Sequence, residues 1–168
     1  MNQMRIVQVN LQPYFGGGEV YTKFLCTALD RLGIATTLIH HGSSRFWQSL
    51  GLPDSTRLRP AWNIEGAMRQ LPSVRSWVLS HGPLTQQHAE QISRRHLLTA
   101  IAHMPPQTRP QDRYDFYRCV FGVSAYVVQG LRDIGAAAWD APLYGVADLH
   151  RVSASKAIRQ TSRYEWDR

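Results

Sequence analysis

Apolar residues in this chain fall into short unbroken runs, separated by stretches where they recur every three or four positions. That alternation predicts strands interleaved with helices. The first run, Met4 to Val9, holds Ile6, Val7 and Val9 and gives way to the turn-prone Asn10 and Pro13. After Phe15-Gly16-Gly17-Gly18-Glu19 a helix is predicted to about Leu32. Its apolar face is Val20, Phe24, Leu25, Ala28, Leu29 and Leu32, and Gly33 stops it. Ile34 to His40 is a second strand. A strand, a glycine-rich turn, a helix and a strand in this order make a βαβ unit with a right-handed crossover and parallel strands.

From Gly42 to Pro72 the pattern is less regular. Ser43 or Ser44 is placed to cap a short helix through Leu50, and Asn63 to cap another from Ile64 to Leu71. Between them, Arg57-Leu58-Arg59 is a loop or a short strand. Arg75 to Ser80 is the next strand, followed by a helix from about Leu84 to Arg95, and Leu97 to Ala102 is another strand that ends at His103. Gln111 to Tyr117 is expected to form one or two helical turns. Cys119 to Val123 is a further strand, Ser124 caps a helix to Ile134, and Ala138 to Tyr144 is a candidate last strand. The expected fold is α/β: a doubly wound, mostly parallel sheet flanked by helices, Rossmann-like, over residues 1–150. Residues 151–168 lose the periodicity and are expected to be a linker or tail.

Composition adds bounds. With 43% apolar and 18% charged residues the chain is neither disordered nor a coiled coil. No apolar run approaches the ~18 residues of a membrane span, and nothing at Met1 resembles a signal peptide. Cys26 and Cys119 are the only cysteines, so no disulfide framework is expected and a cytoplasmic setting is the default. The formal charge of +7, carried by seventeen Arg and two Lys, favours anionic partners with forked contacts, although scattered basic residues also serve solubility. Nothing resembles a nucleic-acid motif, and no nucleic-acid partner is expected.

In doubly wound sheets, ligands bind beyond the carboxyl ends of the strands. That rule selects Gly16, Gly17, Gly18 and Glu19 after the first strand, then His40 and His41, His81, His103 and Ser124 after later ones. The three glycines would let a phosphate or a sugar hydroxyl reach the free N–H groups of the following helix. The alternative is a flexible turn in which Glu19 merely satisfies those groups. The loop is neither a dinucleotide fingerprint nor a P-loop, because no Lys-Ser or Lys-Thr follows the glycines. His103 and His81 end strands next to prolines, where each either orients a ligand or simply marks the strand's end. Ser124 lacks the second glycine of a nucleophile elbow and is better read as a cap. Both cysteines look like small core residues, and a metal site from His40, His81 and His103 has no short ligand spacing to support it.

The ordered residues Met4 to Val9, Gly16-Gly17-Gly18-Glu19, Leu32-Gly33, Ser80-His81-Gly82, Ala100-Ile101-Ala102-His103, Phe121-Gly122-Val123-Ser124 and Tyr144-Gly145-Val146-Ala147-Asp148 resemble the N-terminal half of family 4 glycosyltransferases of the GT-B fold. Two departures stand out. Tyr144 occupies the place of the family's Asn in its Asn-Gly-Val-Asp turn, and the second domain with its Glu-x7-Glu pair is not within these 168 residues. The resemblance implies a hexosyl transfer, with retention, from a nucleotide-sugar such as a UDP- or GDP-sugar to an acceptor. His103 would be catalytic. Gly16, Gly17, Gly18, Glu19, His81 and Ser124 would bind donor phosphates or acceptor. No cofactor or metal is implied. The partners would be the two substrates, the chain's own C-terminal domain and, through the basic, Trp-bearing stretch from Arg45 to Arg69, the anionic inner face of a membrane. Without a second domain these 168 residues would be inactive. The competing expectation is a stand-alone Rossmann- or flavodoxin-like binding or interaction module without catalysis.

Overall fold

Six parallel strands form one sheet in the computed structural model, which describes residues 5–106 and 114–143. In chain order the elements are β1 (Ile6–Asn10), α1 (Gly17–Arg31), β2 (Thr36–His41), a 3-10 turn (Arg45–Ser49), β3 (Thr56–Ala61), α2 (Ile64–Met68), β4 (Trp77–Ser80), α3 (Gln86–Ser93), β5 (Leu97–Ala102), β6 (Cys119–Gly122) and α4 (Ala125–Asp133). The strands lie in the order β3-β2-β1-β4-β5-β6. The chain therefore winds outward from β1 in one direction, then returns to β4 on β1's other side and winds the opposite way. Right-handed crossovers put the helices of the two halves on opposite faces. The expected α/β, doubly wound, Rossmann-like sheet is what forms, and among the described strands every pairing is parallel.

The two faces differ in chemistry. Successive strand residues point to opposite sides, so Val7, Val9, Ile39, Val78, Leu98, Ala100 and Val120 share one face. They pack with Ala67 of α2, Ala89 and Ile92 of α3, and Val127 and Leu131 of α4 in the main core. The register puts Gln8, Asn10, His40 and Leu79 on the other face, under α1. There α1 buries Glu19, Thr22 and Cys26, not the apolar stripe that its periodicity predicts. Val20, Phe24, Leu25, Ala28 and Leu29 are only half-buried and Leu32 is exposed. The reason lies in the sheet: Gln8 and Asn10 present hydrogen-bonding groups that an apolar stripe would leave unsatisfied.

Several element boundaries differ from expectation. Arg57-Leu58-Arg59 lies inside β3, paired along its length with β2. The Asn63 side chain accepts from Gly66 N–H as a cap, but the helix ends at Met68 instead of Leu71. Ser44 does not cap; its hydroxyl donates to the Gln12 carbonyl at 2.9 Å, and the segment it precedes is a 3-10 turn. Thr85 caps α3 by accepting from His88 N–H, so that helix starts at Gln86. Ala138 makes only an isolated bridge to Val120, and no strand runs through 139–143, where Pro142 lacks an N–H to donate. Tyr114 to Tyr117 form a turn, while the rest of the expected helical segment, the Tyr144–Asp148 turn and the 151–168 tail lie outside the described residues.

Candidate functional site

The strand order reverses between β1 and β4, and a crevice opens there at the carboxyl edge of the sheet. It has a volume of about 650 Å³ and is lined by residues of all the segments that meet at this point: Asn10, Gly16, Gly18, Glu19, His81, His103 and Tyr114 among them. Tyr14, Phe15 and Met104 stand exposed on its rim.

The glycine loop begins α1 without any side-chain cap at Gly16. Among the described glycines, positive φ is confined to Gly33, Gly51, Gly82 and Gly135, so the loop glycines occupy conformations open to any residue. A Cβ on Gly17 would meet nothing within 4 Å, and one on Gly18 would sit in ordinary contact with the His103 ring, 3.7 Å away. Neither backbone conformation nor packing requires glycine at 17 or 18. The property left is an open approach to the N–H groups at the start of a fifteen-residue helix.

Behind the loop lies a buried polar network. The Asn10 amide donates to Glu19 Oε1 at 3.2 Å and to Thr22 Oγ1 at 3.1 Å. The Thr22 hydroxyl donates to the Gly18 carbonyl at 2.8 Å. Gln8 Nε2 donates to Cys26 Sγ at 3.2 Å, which leaves Gln8 Oε1 as an acceptor 2.9 Å from His81 Nε2. Burial, with the nearby His103 adding to it, pushes the His81 pKa down to about 3, so the ring is neutral at neutral pH. A neutral imidazole has one N–H. In His81 the Gln8 carbonyl places it on Nε2, and Nδ1 becomes an acceptor.

His103 Nε2 lies 3.4 Å from His81 Nδ1. The ring planes are 14° apart and the centroids 5.6 Å apart. A nitrogen contact that short at that centroid distance requires both nitrogens to lie near the line between the ring centres. The rings thus meet edge to edge in nearly one plane, the geometry of an N–H···N bond. Thr22 spends its single proton on Gly18, so His103 Nε2–H is the donor. Its Nδ1 remains as acceptor. Burial also lowers the His103 pKa, while the Glu19 carboxylate opposes that shift. The Tyr21 ring meets His103 edge-on at 5.4 Å, and its hydroxyl donates to the Leu143 carbonyl at 3.3 Å.

Of the residues singled out from sequence, Gly16, Gly18, Glu19, His81 and His103 line the one crevice, with Gly17 beside them in the loop. Ser124 is not among its lining residues; its Oγ accepts from Val127 N–H and caps α4. His40 bonds the His41 carbonyl through Nδ1 and lies apart from the other two histidines. Among the described residues no group of three His, Cys, Asp or Glu is arranged to hold a metal ion. Burial pushes the Cys26 thiol up to about 11, consistent with a core residue. Within the Arg45–Arg69 stretch, Trp47 is buried, Trp62 is exposed past the end of β3, and Arg57 lines a cavity elsewhere. Among the described residues, no helix is long and apolar enough to cross a membrane.

Gln8, Asn10, Tyr21 and Thr22 were not anticipated. A signal did exist for two of them: Gln8 interrupts an otherwise apolar strand, and Thr22 sits three residues beyond Glu19, on the same helix face. Compared with protein-family models, curated proteins and solved structures, the chain matches none.

Proposed function

We propose that this chain is the acceptor-side domain of a GT-B glycosyltransferase, which moves a sugar from a nucleotide-sugar to an acceptor hydroxyl. The observation that carries the reading is the mixed set of donors and acceptors at the switch-point crevice. Unpaired N–H groups at the start of α1, the Glu19 carboxylate and the neutral His103 ring all border the same space. A polyhydroxylated ligand uses both kinds of group at once, donating through some hydroxyls and accepting through others. Glu19 Oε1 is held by Asn10, and Oε2 faces the Gly16 end of the loop. A carboxylate there favours a sugar hydroxyl over a phosphate as the loop's immediate neighbour, with the donor's diphosphate farther along the helix start. His103, fixed by His81 as the Nε2–H tautomer, offers Nδ1 to a hydroxyl of the transferred sugar or of the acceptor. The exposed Tyr14, Phe15 and Met104 on the rim are a surface that a second domain would cover as it closed on the donor.

The test is a ligand-observed NMR screen of the 168-residue chain against UDP-glucose, GDP-mannose and free hexoses, paired with a transfer assay. Weak binding through the sugar protons is expected, lost in His103→Ala and in Glu19→Gln, without turnover. Failure of every sugar ligand to bind, or binding indifferent to both substitutions, overturns the assignment of the crevice. Efficient transfer by these residues alone overturns the need for a second domain. Sugar binding with no transfer by any longer form of the protein would favour the alternative, a Rossmann- or flavodoxin-like binding module.

A further inference from the structure

A second cavity, of about 1080 Å³, lies at the opposite edge of the sheet, where the strands begin. Arg5 precedes β1 and Arg75 precedes β4, and these two strands are neighbours, with Trp77 N–H bonded to the Arg5 carbonyl at 2.9 Å. Arg57 and Arg59 are two apart on β3 and so point to the same side. All four arginines line this cavity, and among the described residues no Asp or Glu does. Among the described residues the ion pairs are His88–Glu65, Arg94–Glu90 and Arg132–Asp140, so none of the four is neutralised by a carboxylate there. The hollow exists because α2 is only five residues long and the chain then descends through Gln70 and Pro72 to Arg75 without a second helix to fill the space.

Four like charges around one concave surface repel one another and focus a positive potential into it. An anion bound between them relieves that repulsion, and the planar fork of arginine matches the oxygens of phosphate and carboxylate in pairs. We propose that this cavity binds a soluble polyanionic small molecule carrying two or more phosphate or carboxylate groups, at a site separate from the switch-point crevice. The concave shape favours a soluble ligand over a membrane, whose headgroups present a broad, flat surface. This inference does not rest on the glycosyltransferase reading, because the two sites lie at opposite ends of the strands and share no lining residue.

Calorimetric titration of the 168-residue chain with inorganic tripolyphosphate tests it. Saturable one-to-one binding is expected, weakened at least about tenfold in Arg57→Gln/Arg75→Gln. The control Arg45→Gln/Arg118→Gln removes the same charge from exposed residues outside the cavity and should change affinity by less than about twofold. His103→Ala should leave it unchanged. Absence of saturable binding overturns the proposal. So does equal weakening in both double variants, which would mean that net charge alone attracts the anion. Binding to phosphatidylcholine–phosphatidylglycerol vesicles without binding to tripolyphosphate would also overturn it, in favour of a lipid surface.

Discussion

Acidification should weaken this fold through His81, and the structure sets the size and sign of the effect. His81 is buried among Gln8, Thr22 and His103, and among the described residues no carboxylate is in hydrogen-bond contact to stabilise a charged ring. Its pKa falls from an ordinary 6.5 to about 3 on folding. Between those values the unfolded chain holds a proton that the folded chain refuses, so stability rises with pH across this window and is lost as pH falls through it. From about pH 7.5 to about pH 5 the loss from this one group is about 2 kcal/mol, growing to about 5 kcal/mol below pH 3. Burial lowers His40, His96 and His103 in the same direction, so the whole chain loses more than His81 alone accounts for. His81→Gln isolates the contribution, because glutamine keeps a neutral donor and does not titrate. Urea unfolding of both proteins at the two pH values is the assay. The variant's stability should fall by about 2 kcal/mol less than the parent's. Equal falls, to within about 0.5 kcal/mol, would refute the claim that a neutral buried His81 is part of the native network.

Three further outcomes are expected. Gly17→Ala should change stability by less than about 1 kcal/mol, since its Cβ meets open space at a helix start, yet weaken nucleotide-sugar binding by obstructing the approach to the N–H groups. Thermal unfolding and NMR titration separate the two effects; a folding defect without a binding defect would contradict the role given to the loop. Gln8→Leu removes the acceptor for His81 Nε2–H and should cost about 1–3 kcal/mol. Imidazole nitrogen NMR of that variant should show His103 losing its Nε2–H preference, and an unchanged spectrum would break the proposed chain of tautomers. Gly122→Ala puts a Cβ 2.9 Å from the Val128 backbone nitrogen, where β6 packs on α4. Its unfolding midpoint should drop by an amount equivalent to about 1–3 kcal/mol, and an unchanged midpoint would mean that the helix can move away freely.

Much of the architecture was legible because it depends on local periodicity. Leu97 to Ala102 alternates with nothing polar enough to be exposed and forms β5 with those same bounds. The Asn63 and Ser124 caps were readable from residue type and position alone, since a cap is a contact within four residues. What stayed open or failed did so where a distant partner decides. The Arg57–Arg59 segment became a full strand because β2 supplies its ladder, and Ala138 stopped at one bridge because nothing extends it.

The candidate site divides in the same way. Glycines, Glu19 and strand-ending histidines could be picked out because the carboxyl edge of a parallel sheet is a predictable place for ligands. Their convergence could not: His81 and His103 are twenty-two residues apart, and Gln8 reaches His81 across seventy-three. By itself the sequence determined the order of strands and helices, the parallel doubly wound sheet and the helix that begins on three glycines, all consequences of short-range periodicity and handedness. Only the tertiary structure decided that β1 and β4 lie side by side, and hence that α1 buries Glu19, Thr22 and Cys26 instead of its apolar stripe. The same adjacency fixes the proton on His103 and brings Arg5 and Arg75 together at the far edge, where β3 adds Arg57 and Arg59. Hydrogen bonds and like-charge clusters depend on distances between strands, and those are set by pairing that no local pattern records.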